Sequence, residues 1–398
     1  MSPNVETMRY NFDKVIDRSG TSAEKVEGLK HIWGRTDLIP LWVADMDFAT
    51  APFVTDAIRK RCENEVLGYT GKPDSYYNAI INWVKQRYDL VVAKEMINFV
   101  PGIVPGIGMA MNCFTQKGDK VMIQPPVYHP FAWVTTRNER TLVTNPLKWE
   151  NGMYRMDLDT FREQIKGCKL FILCNPHNPG GVVWTEAELR AIADICYDEK
   201  VLVFSDEIHA DLTLPPHTHR PFATVSEKAR MNSVTFMSPS KAFNMPGLSA
   251  SHALIFNEDL RKRFRIYMDA GELDMGHVFA FLSVEAAYSH GTEWLDQCLA
   301  YIQGNIDFVD DFLKNHAPKI KAIRPEASYL VWLDCRELKL SQKDLNEFFV
   351  DKAHLALNDG EMFGKEGIGF MRLNVASPRC IIEKAMKQLA DAYQLYIK

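Results

Sequence analysis

The 398-residue sequence has no run approaching the roughly 18 uninterrupted apolar residues of a membrane-spanning helix, which excludes that class. Positive charge is not in excess: 46 Lys and Arg stand against 51 Asp and Glu, a net charge of −5. A nucleic-acid binder should carry a basic excess or a basic stripe. The densest basic cluster here, Arg261-Lys262-Arg263 with Arg265, reads as one helix face. The eight cysteines (62, 113, 168, 174, 196, 298, 335 and 380) include no C-x-x-C pair. That fits reduced thiols better than a disulfide framework or a zinc site. His217-x-His219 lacks cysteine or carboxylate ligands in pattern, so it reads as structural and no metal is expected. The first fourteen residues mix Glu6, Arg9, Asp13 and Lys14 with polar residues and lack the apolar core of a signal peptide. A cytoplasmic protein is the expectation. Neither a repeat of fixed period nor a low-complexity tract is present.

What is there is a chain 46% hydrophobic and 24% charged, the balance of a folded protein with a sizeable core. After an irregular start, helical patterns begin at Ala51 and again near residues 76–88. From residue 100, short β-branched runs alternate with helices. Strands are expected at 120–124, 141–144, 169–174, 201–205, 233–237 and 253–256, and helices at 106–114, 158–165, 186–199 and 258–267. This alternation predicts an α/β fold with a mostly parallel sheet buried on both faces. A long helical region at 277–315 follows, then strands at 319–324, 329–334 and 370–374 with helices at 341–353 and 378–396. The expected division is a large domain over 51–290 and a small α+β domain built from both chain ends, 1–50 and 291–398.

Four local constellations carry chemistry. Pro101-Gly102-Ile103-Val104-Pro105-Gly106 opens a helix, whose first N–H groups and dipole suit a phosphate. Cys174-Asn175-Pro176-His177-Asn178-Pro179-Gly180-Gly181 follows an apolar strand and aims Asn178 at the strand end, where ligands of open α/β sheets bind. Val201-Leu202-Val203-Phe204-Ser205-Asp206-Glu207-Ile208-His209 ends a buried strand in two carboxylates and an imidazole. Ser238-Pro239-Ser240-Lys241-Ala242-Phe243-Asn244 sets a lysine between hydroxyls and apolar residues, which makes it a candidate Schiff-base former. Each constellation sits at a strand end. Together they are the groups that pyridoxal 5'-phosphate (PLP) needs: a phosphate cup, a hydrogen bond for the ring oxygen, an anion for the ring nitrogen and an amine for the aldehyde.

With these motifs the chain resembles the fold-type I PLP enzymes of the class I/II aminotransferase superfamily, from about Phe12 to Tyr396. Leu41-Trp42-Val43-Ala44-Asp45-Met46-Asp47-Phe48, Pro125-Pro126-Val127-Tyr128-His129-Pro130-Phe131, Asp206-Glu207-Ile208-His209-Ala210-Asp211-Leu212 and Ser240-Lys241-Ala242-Phe243-Asn244 are similar to the cystathionine β-lyase branch, the MalY/PatB-type C–S lyases. The resemblance implies a mixed, mostly parallel seven-stranded sheet sandwiched by helices. It implies that Lys241 holds PLP and moves the Cα proton, and that Asp206 pairs with the ring nitrogen. It gives Asn178 and His209 the ring hydroxyl, and Tyr128 the ring face. The phosphate falls to Ser238, Ser240 and the backbone of Ile103 and Val104. Tyr69 is implied to reach the phosphate from the partner subunit of a homodimer with shared active sites. Arg372 is implied to clamp the substrate α-carboxylate, with Asn178, Trp42 and Asp45 also lining the substrate site.

Two departures stand out. Pro105 has no N–H to offer the phosphate, and Ser249 occupies a place where many relatives carry an arginine. The activity implied is α,β-elimination of L-cystathionine or another L-cysteine S-conjugate to pyruvate, ammonia and a thiol, homocysteine or hydrogen sulfide. An amino acid aminotransferase shares every catalytic residue up to the carbanion and remains the alternative. A regulatory protein that keeps the fold is the second alternative.

Overall fold

The computed structural model describes residues 10–397. They divide into two compact units. One contains Thr50–Gly291 and Glu326–Ser328; the other contains the chain up to Ala49, Thr292–Pro325 and the chain from Tyr329 onward. No helix among the described residues is long and apolar enough to cross a membrane.

The first unit is built on a seven-stranded sheet: β1 (Ile97–Val100), β2 (Lys120–Ile123), β3 (Thr141–Thr144), β4 (Cys168–Cys174), β5 (Leu202–Asp206), β6 (Ser233–Met237) and β7 (Ser251–Leu254). Their order across the sheet is β1-β7-β6-β5-β4-β2-β3. Strands β3, β2, β4, β5 and β6 are parallel, and β7 is antiparallel to both β6 and β1. Two antiparallel steps cancel, so β1 points the same way as β6. The carboxyl ends of β1, β2, β4, β5 and β6 therefore share one sheet edge. Register fixes this edge closely: Cys174 pairs with Asp206, and Asp206 pairs with Phe236.

These segments are strands because they are short apolar runs buried on both faces. All five residues of β6 are buried, as are four of the five in β5. Helices cover the sheet. Ile103, Ile107, Ala110 and Met111 of helix Ile103–Phe114 share one core cluster with Phe131, Ile172, Phe204, Phe236, Ala253 and Phe264. Helix Glu186–Asp198 starts at a capping box in which Glu188 N–H donates to Thr185 Oγ1 and the Glu188 carboxylate accepts from Thr185 N–H.

The second unit holds a four-stranded antiparallel sheet of β8 (Lys321–Ile323), β9 (Leu330–Asp334), β10 (Asn358–Asp359) and β11 (Phe370–Asn374), in the order β8-β9-β11-β10. Helices Thr292–His316 and Arg379–Ile397 present buried apolar faces. Several boundaries differ from expectation. Helix Ile103–Phe114 begins three residues early, because proline is tolerated in a first turn. The long helical region is two helices, Val278–His290 and Thr292–His316, broken at Gly291. The last strand of the large sheet is Ser251–Leu254 rather than 253–256. The irregular start contains a helix, Glu24–Trp33.

Candidate active site

The shared edge of the large sheet collects the predicted residues of the first unit other than Tyr69. Strand β5 ends at Asp206, which is buried and accepts a hydrogen bond from Ile208 N–H at 3.1 Å. Burial pushes its carboxyl up to about 7. The Ile208 N–H pulls it back, the neighbouring Glu207 raises it, and the Lys241 ammonium lowers it. A carboxylate in this setting is stabilised by a cation placed against it. Lys241, half-buried, stands in the turn after β6. That turn is closed by Phe243 N–H to Pro239 O at 2.9 Å and Met245 N–H to Ser240 O at 2.9 Å. Thr50 Oγ1 donates to Asn244 O at 2.6 Å.

Ser238 and Ser240 are buried in the same turn. Ser238 Oγ donates to Ala250 O at 2.8 Å and lies 2.9 Å from Ser240 Oγ. Helix Ile103–Phe114 starts at Gly102, whose φ of 136° is open to glycine alone. No side chain caps this helix, so the N–H groups of Ile103 and Val104 keep their capacity for an anion. Pro105 offers none, as the sequence indicates.

The loop after β4 is braced from within. Asn178 N–H donates to Cys174 Sγ at 3.3 Å, His177 N–H to Val182 O at 2.8 Å, and Gly181 N–H to His177 O at 2.8 Å. Trp184 Nε1 donates to Cys174 O at 2.8 Å. Asn178 and His209 are both buried at the edge. Tyr128, half-buried, follows β2, its ring set edge-on to Phe131 with centroids 5.7 Å apart.

Behind Asp206 lies a polar network the sequence did not announce. Glu207, 1% exposed, accepts from His219 Nε2, Ser205 Oγ and Phe222 N–H, each at 2.8 Å. Asp211 is also buried, accepting from Trp83 Nε1 at 3.0 Å and from Tyr88 OH. The signal available was His219 itself, placed by its spacing in a loop and by the fold against Glu207. No group of three or more His, Cys, Asp or Glu side chains among the described residues is arranged to hold a metal ion.

Tyr69 is 98% exposed, with Val66 and Leu67 also exposed. It lines an open cleft of about 720 Å³ with Leu67, Lys72, Asp274, Met275 and His277, in which Lys72 pairs with Asp274 at 2.7 Å.

The second unit holds the other three predicted residues. Arg372 is buried on β11; its Nη2 donates to Asn358 Oδ1 at 2.6 Å and to Trp42 O at 3.1 Å, and its guanidinium stands over Phe363 at 4.8 Å. Trp42 Nε1 donates to Lys25 O at 2.9 Å. Asp45 is held by Arg18 at 2.6 Å. Asp45, expected to line the substrate site, has its carboxylate committed to this ion pair.

A model of the family "Aminotransferase class I and II" matches residues 36–389. The chain belongs to this family. It is 38% identical to "Cystathionine beta-lyase PatB" of Bacillus subtilis, over 96% of this chain and 99% of that one. It is 31% identical to "Protein MalY" of Escherichia coli, over 96% and 98% of the two chains. The crystal structure of cystalysin from Treponema denticola, which contains a pyridoxal 5'-phosphate cofactor, superposes with a TM-score of 0.95 at 34% identity, covering 98% of this chain and 100% of that one. In this family member, Asp206 and Lys241 both stand at strand ends on the carboxyl edge of the large sheet.

Proposed function

We propose that the chain is a PLP-dependent carbon–sulfur β-lyase. It takes L-cystathionine or another L-cysteine S-conjugate and, with water, yields pyruvate, ammonia and a thiol, homocysteine or hydrogen sulfide. The observation that carries the cofactor is Asp206, a carboxyl that burial pushes up to about 7 and the Lys241 ammonium pulls back, at the sheet edge that also holds the buried Asn178 and His209. The near-full-length likeness to a cystathionine β-lyase supports elimination over amino transfer.

The residues present fit PLP. The N–H groups of Ile103 and Val104, with Ser238 and Ser240, take the phosphate. Asn178 and His209 take the ring oxygen, Tyr128 the ring face, and Asp206 the proton on the ring nitrogen. PLP, once bound through the Lys241 amine, serves as the sink for electrons released at the substrate Cα.

Arg372 receives the substrate α-carboxylate as a two-pronged pair. Its other contacts, to Asn358 and Trp42, hold the guanidinium plane in place before substrate arrives. Trp42 and Asp45 are assigned to the substrate by the same resemblance. The Lys241 amine, released by the incoming substrate amine, removes the Cα proton as general base. Asp206 keeps the ring nitrogen proton in place while charge accumulates. The β-thiolate leaves, and the remaining three-carbon fragment is released and hydrolysed to pyruvate and ammonia.

The protein is read as a cytoplasmic homodimer in which Tyr69 reaches the partner's phosphate. The exposure of Val66, Leu67 and Tyr69 supports this, since an apolar segment left open on one chain suits a second copy. The eight free cysteines support a reducing compartment. The test is Lys241→Ala: pyruvate release from L-cystathionine should fall by about 10³-fold or more, and the visible band of the bound cofactor should disappear. A variant that kept both would overturn the reading.

A further inference from the structure

His177 is buried in the loop that carries Asn178 and reaches the loop that carries Tyr128. Its Nε2 lies 2.9 Å from Pro126 O. A carbonyl oxygen only accepts, so Nε2 carries the proton. Burial lowers the imidazole to about 4, which leaves the ring neutral at ordinary pH and Nδ1 bare. Nδ1 has no hydrogen-bond partner, as suits a lone pair better than an N–H. One tautomer therefore satisfies every observation.

The bridge is built into the backbone around it. Strands β2 and β4 are neighbours, so the loops that follow them run side by side. Pro126 stands two residues before Tyr128, and His177 one residue before Asn178. The preceding carbonyl, Pro125 O, is taken by Leu147 N–H at 2.8 Å, so the Tyr128 loop is fixed at two successive carbonyls. The Asn178 loop wraps the imidazole: a Cβ on Gly180 would lie 2.9 Å from His177 Nδ1 and 2.8 Å from Tyr154. Tyr154 and Trp184 pack around the ring, with centroids 6.1 and 5.6 Å away.

We propose that His177 is a positioning residue: as the neutral Nε2–H tautomer it ties the Asn178 loop to the Tyr128 loop and so fixes the groups for the cofactor's ring oxygen and ring face relative to each other. This rests on the PLP reading above. His177 touches neither cofactor nor substrate in this role. It acts through Pro126 O.

The experiment pairs His177→Phe with His177→Gln. Phenylalanine keeps the ring packing and removes the donor; glutamine restores one. For His177→Phe, the dissociation constant of added PLP should rise about tenfold, because ordering the Asn178 and Tyr128 loops against each other then falls on binding. The visible band of the bound cofactor and its pH dependence should also shift, because Asn178 loses its set position. His177→Gln should recover part of both. A purely structural histidine would lower the melting temperature and leave the cofactor spectrum alone. Ring-labelled histidine NMR on the cofactor-free wild type supplies the second readout. His177 should show a protonated Nε2, a bare Nδ1 and no titration between about pH 5.5 and 8.

A His177→Phe protein with wild-type PLP affinity and spectrum overturns the proposal while the PLP reading stands. A ring that titrates near pH 6.5, or carries its proton on Nδ1, overturns it without any cofactor present. Failure of the wild type itself to bind PLP removes both readings, which separates that outcome from the other two.

Discussion

Asp45 and Asp47 in the second unit and Asp206 in the first are held in opposite ways. In the second unit, Asp45 and Asp47 are answered by cations: Arg18 reaches them at 2.6 and 3.0 Å, and the fully buried Lys25 reaches Asp47 at 2.8 Å. In the first unit, the carboxylate of Asp206 receives a hydrogen bond from a backbone N–H, and burial pushes it up to about 7. The first arrangement is complete in itself and serves the fold. The second leaves a carboxyl that burial disfavours in its charged form, as the proposed pairing with the cofactor's ring nitrogen requires. A carboxylate that costs stability where it stands is the mark of a site kept for binding.

Exchanging each acid for its amide breaks this comparison most sharply. Asp206→Asn should lower elimination on the order of 10²-fold and leave the cofactor-free chain as stable as wild type, or more so. Asp47→Asn should do the reverse, costing about 3 kcal/mol of stability because Lys25 is left buried beside only the more distant Asp45. Denaturant melts and pyruvate assays on both variants read the four outcomes.

Acidity sharpens it further. The folded Asp206 carboxyl binds its proton up to about pH 7, whereas the unfolded chain releases it near 3.8, the ordinary value for an aspartate. The folded state then holds more protons, so the stability of the cofactor-free chain should fall as pH rises from about 4 to about 7. The loss is on the order of a few kcal/mol, and Asp206→Asn should remove it. A flat profile for the wild type contradicts the assignment.

The smallest effect is a control. Thr185→Ala removes the capping box of helix Glu186–Asp198 and should cost about 1 kcal/mol with no change in turnover. A change in turnover would mean that the edge responds to distant stability rather than to its own charges.

The chemistry of the first unit was legible because strand ends announce themselves. An apolar run that stops at Asp206, or at Ser238-Pro239-Ser240-Lys241, leaves polar groups where only a site explains them. The α/β class and six of the seven large-sheet strands follow from the same alternation. The seventh, Ile97–Val100, is four residues long and merges with the turn after it. The last strand was placed two residues late because Ser251 and His252 are polar, yet both are buried. Helix Glu24–Trp33 was missed since it contains Gly28, lacks a capping side chain and buries Lys25. Its lysine makes sense only once Asp47 is beside it. The Glu207–His219 pair and the His177–Pro126 bridge were illegible for the same reason: each joins residues that the fold, not the spacing, brings together.

The direct measurement of elimination follows pyruvate and free thiol from L-cystathionine by the PLP-loaded protein with no keto acid added, recording the visible spectrum in parallel. Stoichiometric pyruvate and homocysteine should form with continuous turnover. Amino transfer to an added keto acid, with no pyruvate formed in its absence, would contradict elimination.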